Sequence, residues 1–352
     1  MRGVEWETQE SMATAIPARG SYATANASWS GLAWHRFRKK RLGMLALLTL
    51  AVLVVAVVLV PLFSPFSVDA MQGPLYWLKP MGTVGSEGHV HLLGTDNLGR
   101  DIFTRLFTGG RTTLAVALVA ALAVVVIGSL LGAIAGYYGG WVDKLLMLVV
   151  DFLLAFPLLP AYIFAIRIVR DAFLPAQLLA IRGINITTQS SAQNSAPVVI
   201  GVTILVLVMF GWMGICRLVR SSILSLRSRA FVEAARALGA SNRRIILRHL
   251  LPNSIGPLVV AAAAAVGDFV IIEAVLAYFN QGIIDFFTPS WGNMLASTQG
   301  YIFTITELNP WVDMRPYLII LPTFMILLTV LCIYYAGDAL REVLDPHQTE
   351  GR

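Results

Sequence analysis

Residues Thr113–Tyr137 read TLAVALVAALAVVVIGSLLGAIAGY, without a charged side chain. A hydrocarbon core about 30 Å thick is crossed by about 20 apolar residues at 1.5 Å each, so this stretch is long enough to span a bilayer. Lipid offers no partners to backbone N–H and C=O groups, and a helix satisfies its own. A barrel strand would alternate apolar and polar residues, which this run does not. Five more runs behave alike: Gly43–Phe63, Val142–Ile166, Val198–Cys216, Gly256–Tyr278 and Tyr317–Tyr335. The expected fold is an all-α integral membrane protein with six transmembrane helices. Composition agrees, because only 13% of the 352 residues are charged and 57% are hydrophobic, against roughly a quarter charged in soluble domains. A soluble enzyme, a nucleic-acid-binding module and a disulfide-stapled secreted domain are thereby disfavoured.

The net charge of +6 becomes an orientation signal once its positions are read. The tail before the first run holds Arg36, Arg38, Lys39, Lys40 and Arg41 among its basic residues, and the connection between runs four and five holds eight arginines from Arg217 to Arg248. With both termini inside, 18 of the 26 Lys and Arg lie on the inner side, so the positive-inside rule places the termini and that connection in the cytoplasm. The first run is read as a retained span and not as a cleaved signal, since it is longer than a signal's apolar core and Pro61-Leu62-Phe63 lacks a small-residue cleavage site. Trp29, Trp34 and Phe37 with the Arg36–Arg41 cluster suit either an interfacial segment or a simple anchor. Met1–Ala27 is expected to be mobile. Cys216 and Cys332 are read as packing residues in a reducing setting.

The inner connection is unlike the rest of the chain. Phe231-Val232-Glu233-Ala234-Ala235-Arg236-Ala237-Leu238 predicts a short helix, and Gly239 is its C-terminal stop. Ser241 or Asn242 is placed to cap a second short helix through His249, ending before Leu251-Pro252. Together they predict a compact knob whose small Ala234 and Ala235 admit another protein's surface.

Glu233-Ala234-Ala235, then Gly239, then Leu251-Pro252 resembles the EAA loop of permease subunits of binding-protein-dependent ABC importers. The likeness to the dipeptide, oligopeptide and nickel branch is carried by Gly94-Thr95-Asp96-Asn97-Leu98-Gly99-Arg100-Asp101, Gly136-Tyr137-Tyr138-Gly139-Gly140-Trp141-Val142-Asp143, Asp151 with Ala155-Phe156-Pro157, and Pro289-Ser290-Trp291-Gly292-Asn293-Met294-Leu295. Gly337-Asp338-Ala339-Leu340-Arg341 extends it toward Pro346. The resemblance implies a coupling helix at Glu233, Ala234, Ala235 and Gly239, closed by Leu251 and Pro252, that seats on a cytoplasmic ATPase. It implies two ATPase subunits, a second homologous permease and an extracytoplasmic binding protein as partners, in a prokaryotic cytoplasmic membrane. No G-x-x-x-x-G-K-[ST] phosphate loop occurs, so ATP and Mg are expected on the ATPases and no cofactor on this chain. The implied function is import of di- or oligopeptides, with nickel or another small solute as an alternative within the branch.

Other constellations are read beside their plainer explanations. Gly128, Gly132 and Gly136 recur every four residues, as close helix packing requires, and Ala261–Ala265 invites similar packing. Thr95 or Asp96 is placed to cap the helix that runs through Arg105. Intramembrane carboxylates are costly and face protein, water or a partner. Asp151 falls about 15 Å into the third run, Asp268 about 18 Å into the fifth, and Glu273 further out; all three are candidates for a translocation path or for bonds between helices. His89 and His91 lack the further ligands a metal needs, so no metal site is expected. Asp171–Ser195 lengthens an outer connection, either as a contact for a binding protein or as a tolerated insertion. The divisions expected are a tail and interfacial segment (1–42), a first helix with an extended outer loop (43–110), the permease core (111–340) and a C-terminal tail (341–352). The runner-up function is an ion-coupled secondary transporter using Asp151, Asp268 or Glu273; such proteins often carry an internal two-fold repeat, which is not evident here.

Overall fold

A computed structural model describes residues 37–344, apart from 74, 76, 87, 174–195, 284–287 and 300–315. The expectations for Met1–Ala27, Trp29, Trp34, most of Asp171–Ser195 and the last tail residues therefore fall outside the described residues. Among the described residues, five helices are long and apolar enough to cross a membrane, and a sixth crossing is a bent pair. They are α1 (Arg41–Phe63), α2 (Ile102–Tyr138), the pair α3 (Gly140–Leu154) and α4 (Leu158–Phe173), α5 (Ala196–Leu226), then α9 (Ile255–Tyr278) and α11 (Tyr317–Leu344). Between α5 and α9 lie α6 (Ala230–Ala237), α7 (Asn242–Ile245), a wide π turn (Ile246–Leu250) and α8 (Leu251–Asn253). Outside the spans, β1 (Thr83–Val84) pairs antiparallel with β2 (Val90–His91), and α10 (Trp291–Ala296) packs back among the helices.

The centre of the bundle is the contact of α2 with α5, and the glycine stripe produces it. A Cβ on Gly128 would stand 2.8 Å from the Trp212 carbonyl oxygen, one on Gly132 2.4 Å from that of Cys216, and one on Gly136 2.8 Å from that of Arg220. Both helices thus meet at every fourth residue, backbone against backbone, as small-residue faces permit. Above the stripe, Val116, Ala120 and Val124 join Val206, Leu207 and Phe269 in the main apolar core. The Ala261–Ala265 run contributes to packing within the chain, since a Cβ on Gly337 would lie 3.2 Å from Ala263.

Helix α1 packs on this bundle through Leu53 and Val57, buried with Leu106 and Trp291, and is held near its two ends as well. At one end a Cβ on Gly43 would overlap that of Ala339, and Phe37 turns inward against Ala339 and Val343. Phe37 is therefore a packing residue and not part of an exposed interfacial stripe. At the other end Pro61 has no N–H and frees the carbonyl four residues back. Arg111 of α2 fills that gap, donating from Nε to the Val57 oxygen at 2.9 Å, and from Nη2 to that of Val58 as well.

Four elements depart from the sequence reading. The third run is not one straight span: α3 and α4 meet at 91°, because Pro157 supplies no N–H and excludes helical geometry just before it. The fourth helix continues ten residues past Cys216 to Leu226, so Arg217 and Arg220 are helical and not part of a connecting loop. Neither Thr95 nor Asp96 caps α2; Asp101 does, accepting from the Thr104 N–H at 2.7 Å. Finally, the helix after Ser241 runs on through Pro252. The Leu251 N–H reaches back five residues to Ile246, and the chain closes at Asn253.

Candidate functional site

The knob between α5 and α9 is built by two consecutive caps. After α6, Gly239 adopts φ +80; its N–H donates to the Arg236 oxygen and that of Ala240 to the Ala235 oxygen, both at 3.0 Å. This is the paired closure that a left-handed glycine makes at a helix end. Ser241 then starts α7 by accepting from the Arg244 N–H at 3.4 Å, which decides between the two caps considered. Two bonds tie the knob and its approach to the C-terminal end of α2: Tyr137 donates to Asn242 at 2.7 Å, and Arg227 to the Gly136 oxygen at 3.1 Å.

The two faces of α6 differ sharply. Val232 and Ala235 are buried, in a core shared with Ile245 and Leu250. Phe231, Glu233, Ala234, Arg236 and Leu238 point away from the bundle, and Leu238 is 89% exposed. Phe231, Ala234 and Leu238 follow the i, i+3, i+7 spacing of one helical face. The two alanines of the motif therefore divide: Ala234 lies on the outward face, while Ala235 holds the helix down. Gly239 and Pro252 are exposed, and Leu251 is half-buried.

The three intramembrane acids are held by three separate sets of partners. Asp151, on α3 just before the bend, pairs with Arg217 of α5. About two turns toward the start of α3, Asp143 takes both arms of Arg220, with 2.6 Å on the second contact. The long α5 thus carries two arginines that bind α3. Asp268 is exposed on α9 and accepts a hydrogen bond from the Tyr334 hydroxyl of α11. Glu273 is 0% exposed. Its Oε2 accepts from the Thr113 hydroxyl at 3.2 Å, which in turn accepts from the Trp291 N–H at 3.1 Å; Oε1 is buried. Trp291 is fully buried as well, and its Nε1 donates to the Leu106 oxygen at 2.8 Å. Glu273 thus sits inside the packing of α2, α9 and α10, whereas Asp268 lies at a surface of the single chain.

Sequence reasoning missed Arg111, Arg217, Arg220 and Tyr334 as partners, and it missed the ordered polar cluster before α2. There His91 is buried, stacked on Phe66 with ring centroids 4.1 Å apart, and its Nδ1 meets Asp101 Oδ1 at 2.8 Å. Asp96 binds Arg100 at 2.7 Å and also faces Arg105. The quoted Gly94–Asp101 motif held Asp96, Arg100 and Asp101, but spacing alone did not show their pairing with one another or with His91 and Arg105. Among the described residues no group of three or more metal-ligating side chains occurs.

Residues 128–350 match the family described as binding-protein-dependent transport system inner membrane component. The chain belongs to that family. Residues 28–80 also match the N-terminal TM domain of oligopeptide transport permease C. The permease is 36% identical over 256 residues to the dipeptide transport system permease protein DppC of Alkalihalophilus pseudofirmus, covering 73% of this chain and 72% of that one. It is 32% identical to the oligopeptide transport system permease protein OppC of Haemophilus influenzae, over 81% and 78% of the two chains. Its identity to the glutathione transport system permease protein GsiD of Pectobacterium atrosepticum is 34%, over 73% and 72%. This permease is therefore a multi-pass inner-membrane component of a binding-protein-dependent transporter.

Proposed function

We propose that this permease forms half of the translocation pathway of an ATP-driven importer for di- or oligopeptides. A second homologous permease supplies the other half, two cytoplasmic ATPases sit beneath, and an extracytoplasmic binding protein delivers the peptide. Both termini and the α6–α8 knob face the cytoplasm, in keeping with the distribution of Lys and Arg. The observation that carries the coupling role is the two-faced α6. Val232 and Ala235 anchor it to the bundle, while Phe231, Glu233, Ala234 and Leu238 are presented outward. Closure of the ATPases presses on this face, and the spans alternate between inward and outward access. The peptide assignment rests on the relatives named for dipeptide, oligopeptide and glutathione transport. Asp268, in reach of solvent on the single chain, is assigned to the path as an acceptor for a peptide's amino terminus; Asp151 is assigned to it less directly, and Glu273 supports its wall from within the helix packing.

Gentle solubilisation followed by identification of what co-purifies tests the assembly. Two ATPases, a second permease and a binding protein carrying peptide are expected. A chain that purifies alone, and whose uptake persists without ATP while a proton gradient is held, would overturn the proposal in favour of ion-coupled transport.

A further inference from the structure

Helix α1 touches the bundle through Gly43 on Ala339, through Leu53 and Val57 buried beside Leu106 and Trp291, and through Arg111 on the Val57 and Val58 carbonyls. Beside those contacts, along the Leu47, Leu50 and Val54 side of α1, lies a crevice of about 820 Å³. Its walls are Leu50 and Val54 of α1, Ala115 and Leu118 of α2, Ala263 of α9 and Ala336 of α11, and every other lining side chain except that of Arg111 is apolar as well. The guanidinium of Arg111 is turned onto the two carbonyls. A peptide or ionic solute would find no matched groups here, and a buried polar group without a partner is costly. Hydrocarbon has no such need.

We propose that this crevice binds one acyl chain of an anionic phospholipid, whose headgroup rests on Arg38, Lys39 and Arg41. Two dimensions support the occupant. From Leu47 to Val58 the wall rises about 16 Å, the depth of one leaflet of a hydrocarbon core about 30 Å thick. The end lined by Phe37 and Leu340 lies next to Arg38, Lys39 and Arg41. All three are exposed, whereas Lys40 is taken up by Glu342. A tail entering from that leaflet brings a phosphate to three exposed cations, and each such cation near the surface strengthens the hold on an anionic lipid. A protein helix does not fit the same slot. Packed helix axes stand 8–10 Å apart, so an inserted helix would have to lift α1 off contacts that hold it at both ends.

The test uses the full-length chain in phosphatidylcholine vesicles doped with phosphatidylglycerol that carries a photoreactive group on its acyl chain. Crosslinks are mapped by peptide mass spectrometry, and retained lipid is counted by native mass spectrometry. Labels are expected on α1 near Leu50 and Val54 and on α2 near Ala115 and Leu118, with one phosphatidylglycerol retained. Ala115→Trp and Ala336→Phe fill the crevice from opposite walls, and each should abolish that labelling. Gln at Arg38, Lys39 and Arg41 should weaken retention by about fivefold per charge. Equal labelling by a phosphatidylcholine probe overturns the assignment. So do wild-type crosslinks to residues 1–36 or to a second subunit in place of lipid. Unchanged labelling in either filled variant that stays monodisperse is equally decisive, and the wild-type label pattern decides alone should both variants misfold.

Discussion

Replacing Gly132 by Ala tests the α2–α5 contact directly. The added methyl carbon would stand 2.4 Å from the Cys216 carbonyl oxygen, 3.0 Å from the Val219 Cβ and 3.1 Å from the Arg220 nitrogen. Ordinary van der Waals contact begins near 3.4 Å, so the closest approach is short by about 1 Å. Two of the three opposing atoms are helix backbone, which no rotamer change can move. The helices must separate or slide. Overpacking of this kind costs about 1–3 kcal/mol. Alanine also favours a helix over glycine by about 1 kcal/mol, and this gain would mask part of the loss. Gly214 on α5 provides the matched control, because nothing lies within 4 Å of its added methyl. Gly214→Ala collects the propensity gain alone, so the difference between the two variants isolates the overpacking cost of about 1–3 kcal/mol. Unfolding in mixed micelles with increasing SDS, followed by tryptophan fluorescence, measures both variants against wild type. Gly132→Ala should unfold at lower SDS than wild type and Gly214→Ala at equal or higher SDS. Coincident curves for the two alanine variants would refute the backbone contact.

Three further outcomes follow from the same geometry. Gly239→Val places a β-branched residue at φ +80 in open space, so only the backbone objects, by about 1–2 kcal/mol; ATPase co-purification should fall, whereas Gly239→Asn, which tolerates that conformation, should retain most of it. Arg111→Met strips the Val57 carbonyl freed by Pro61 of its partner and should destabilise by about 1–3 kcal/mol. Adding Pro61→Ala restores an N–H for Val57, so the pair should be less damaging than the two single effects added; strict additivity in thermal unfolding would deny Arg111 that role. Asp268→Asn should reduce uptake of cationic peptides about tenfold relative to neutral ones, the effect of losing about 1.4 kcal/mol of attraction. Equal loss for both classes would remove Asp268 from the path.

Much of this was legible from local chemistry. Apolar length located every span, because a bilayer imposes a minimum length and forbids unpaired backbone groups. The Gly128, Gly132 and Gly136 spacing announced a close contact, and Gly239 with Ser241 announced the corner of the knob. The misses share a cause. Arg217 and Arg220 read as loop residues because their charges looked incompatible with a continuing helix. Their neutralisers, Asp151 and Asp143, lie on α3, more than sixty positions earlier in the chain, and only folding brings them together. Composition likewise says how apolar residues 142–166 are but not which way the chain turns, so the bend at Pro157 stayed hidden although its proline was in view. The outward side of α6 was half legible: the motif marked Ala234 and Ala235 alike, and helical phase separates them. The surroundings of Glu273 were not legible, since Thr113 and Trp291 come from distant segments.

The length of α2 has a mechanical consequence. Its 37 residues extend about 55 Å, well beyond a hydrocarbon core of about 30 Å. One end is clamped by Asp101 into the polar cluster around His91, and the other meets Arg227 and Asn242 beside the knob. A rod held this way behaves as a lever with its fulcrum in the bilayer. A tilt of about 10° about its midpoint displaces both ends by about 5 Å in opposite directions. Because α5 is keyed to it at every fourth residue, the two helices tip as one beam. A small stroke applied to one side of the membrane is thereby delivered, reversed in direction, to the other.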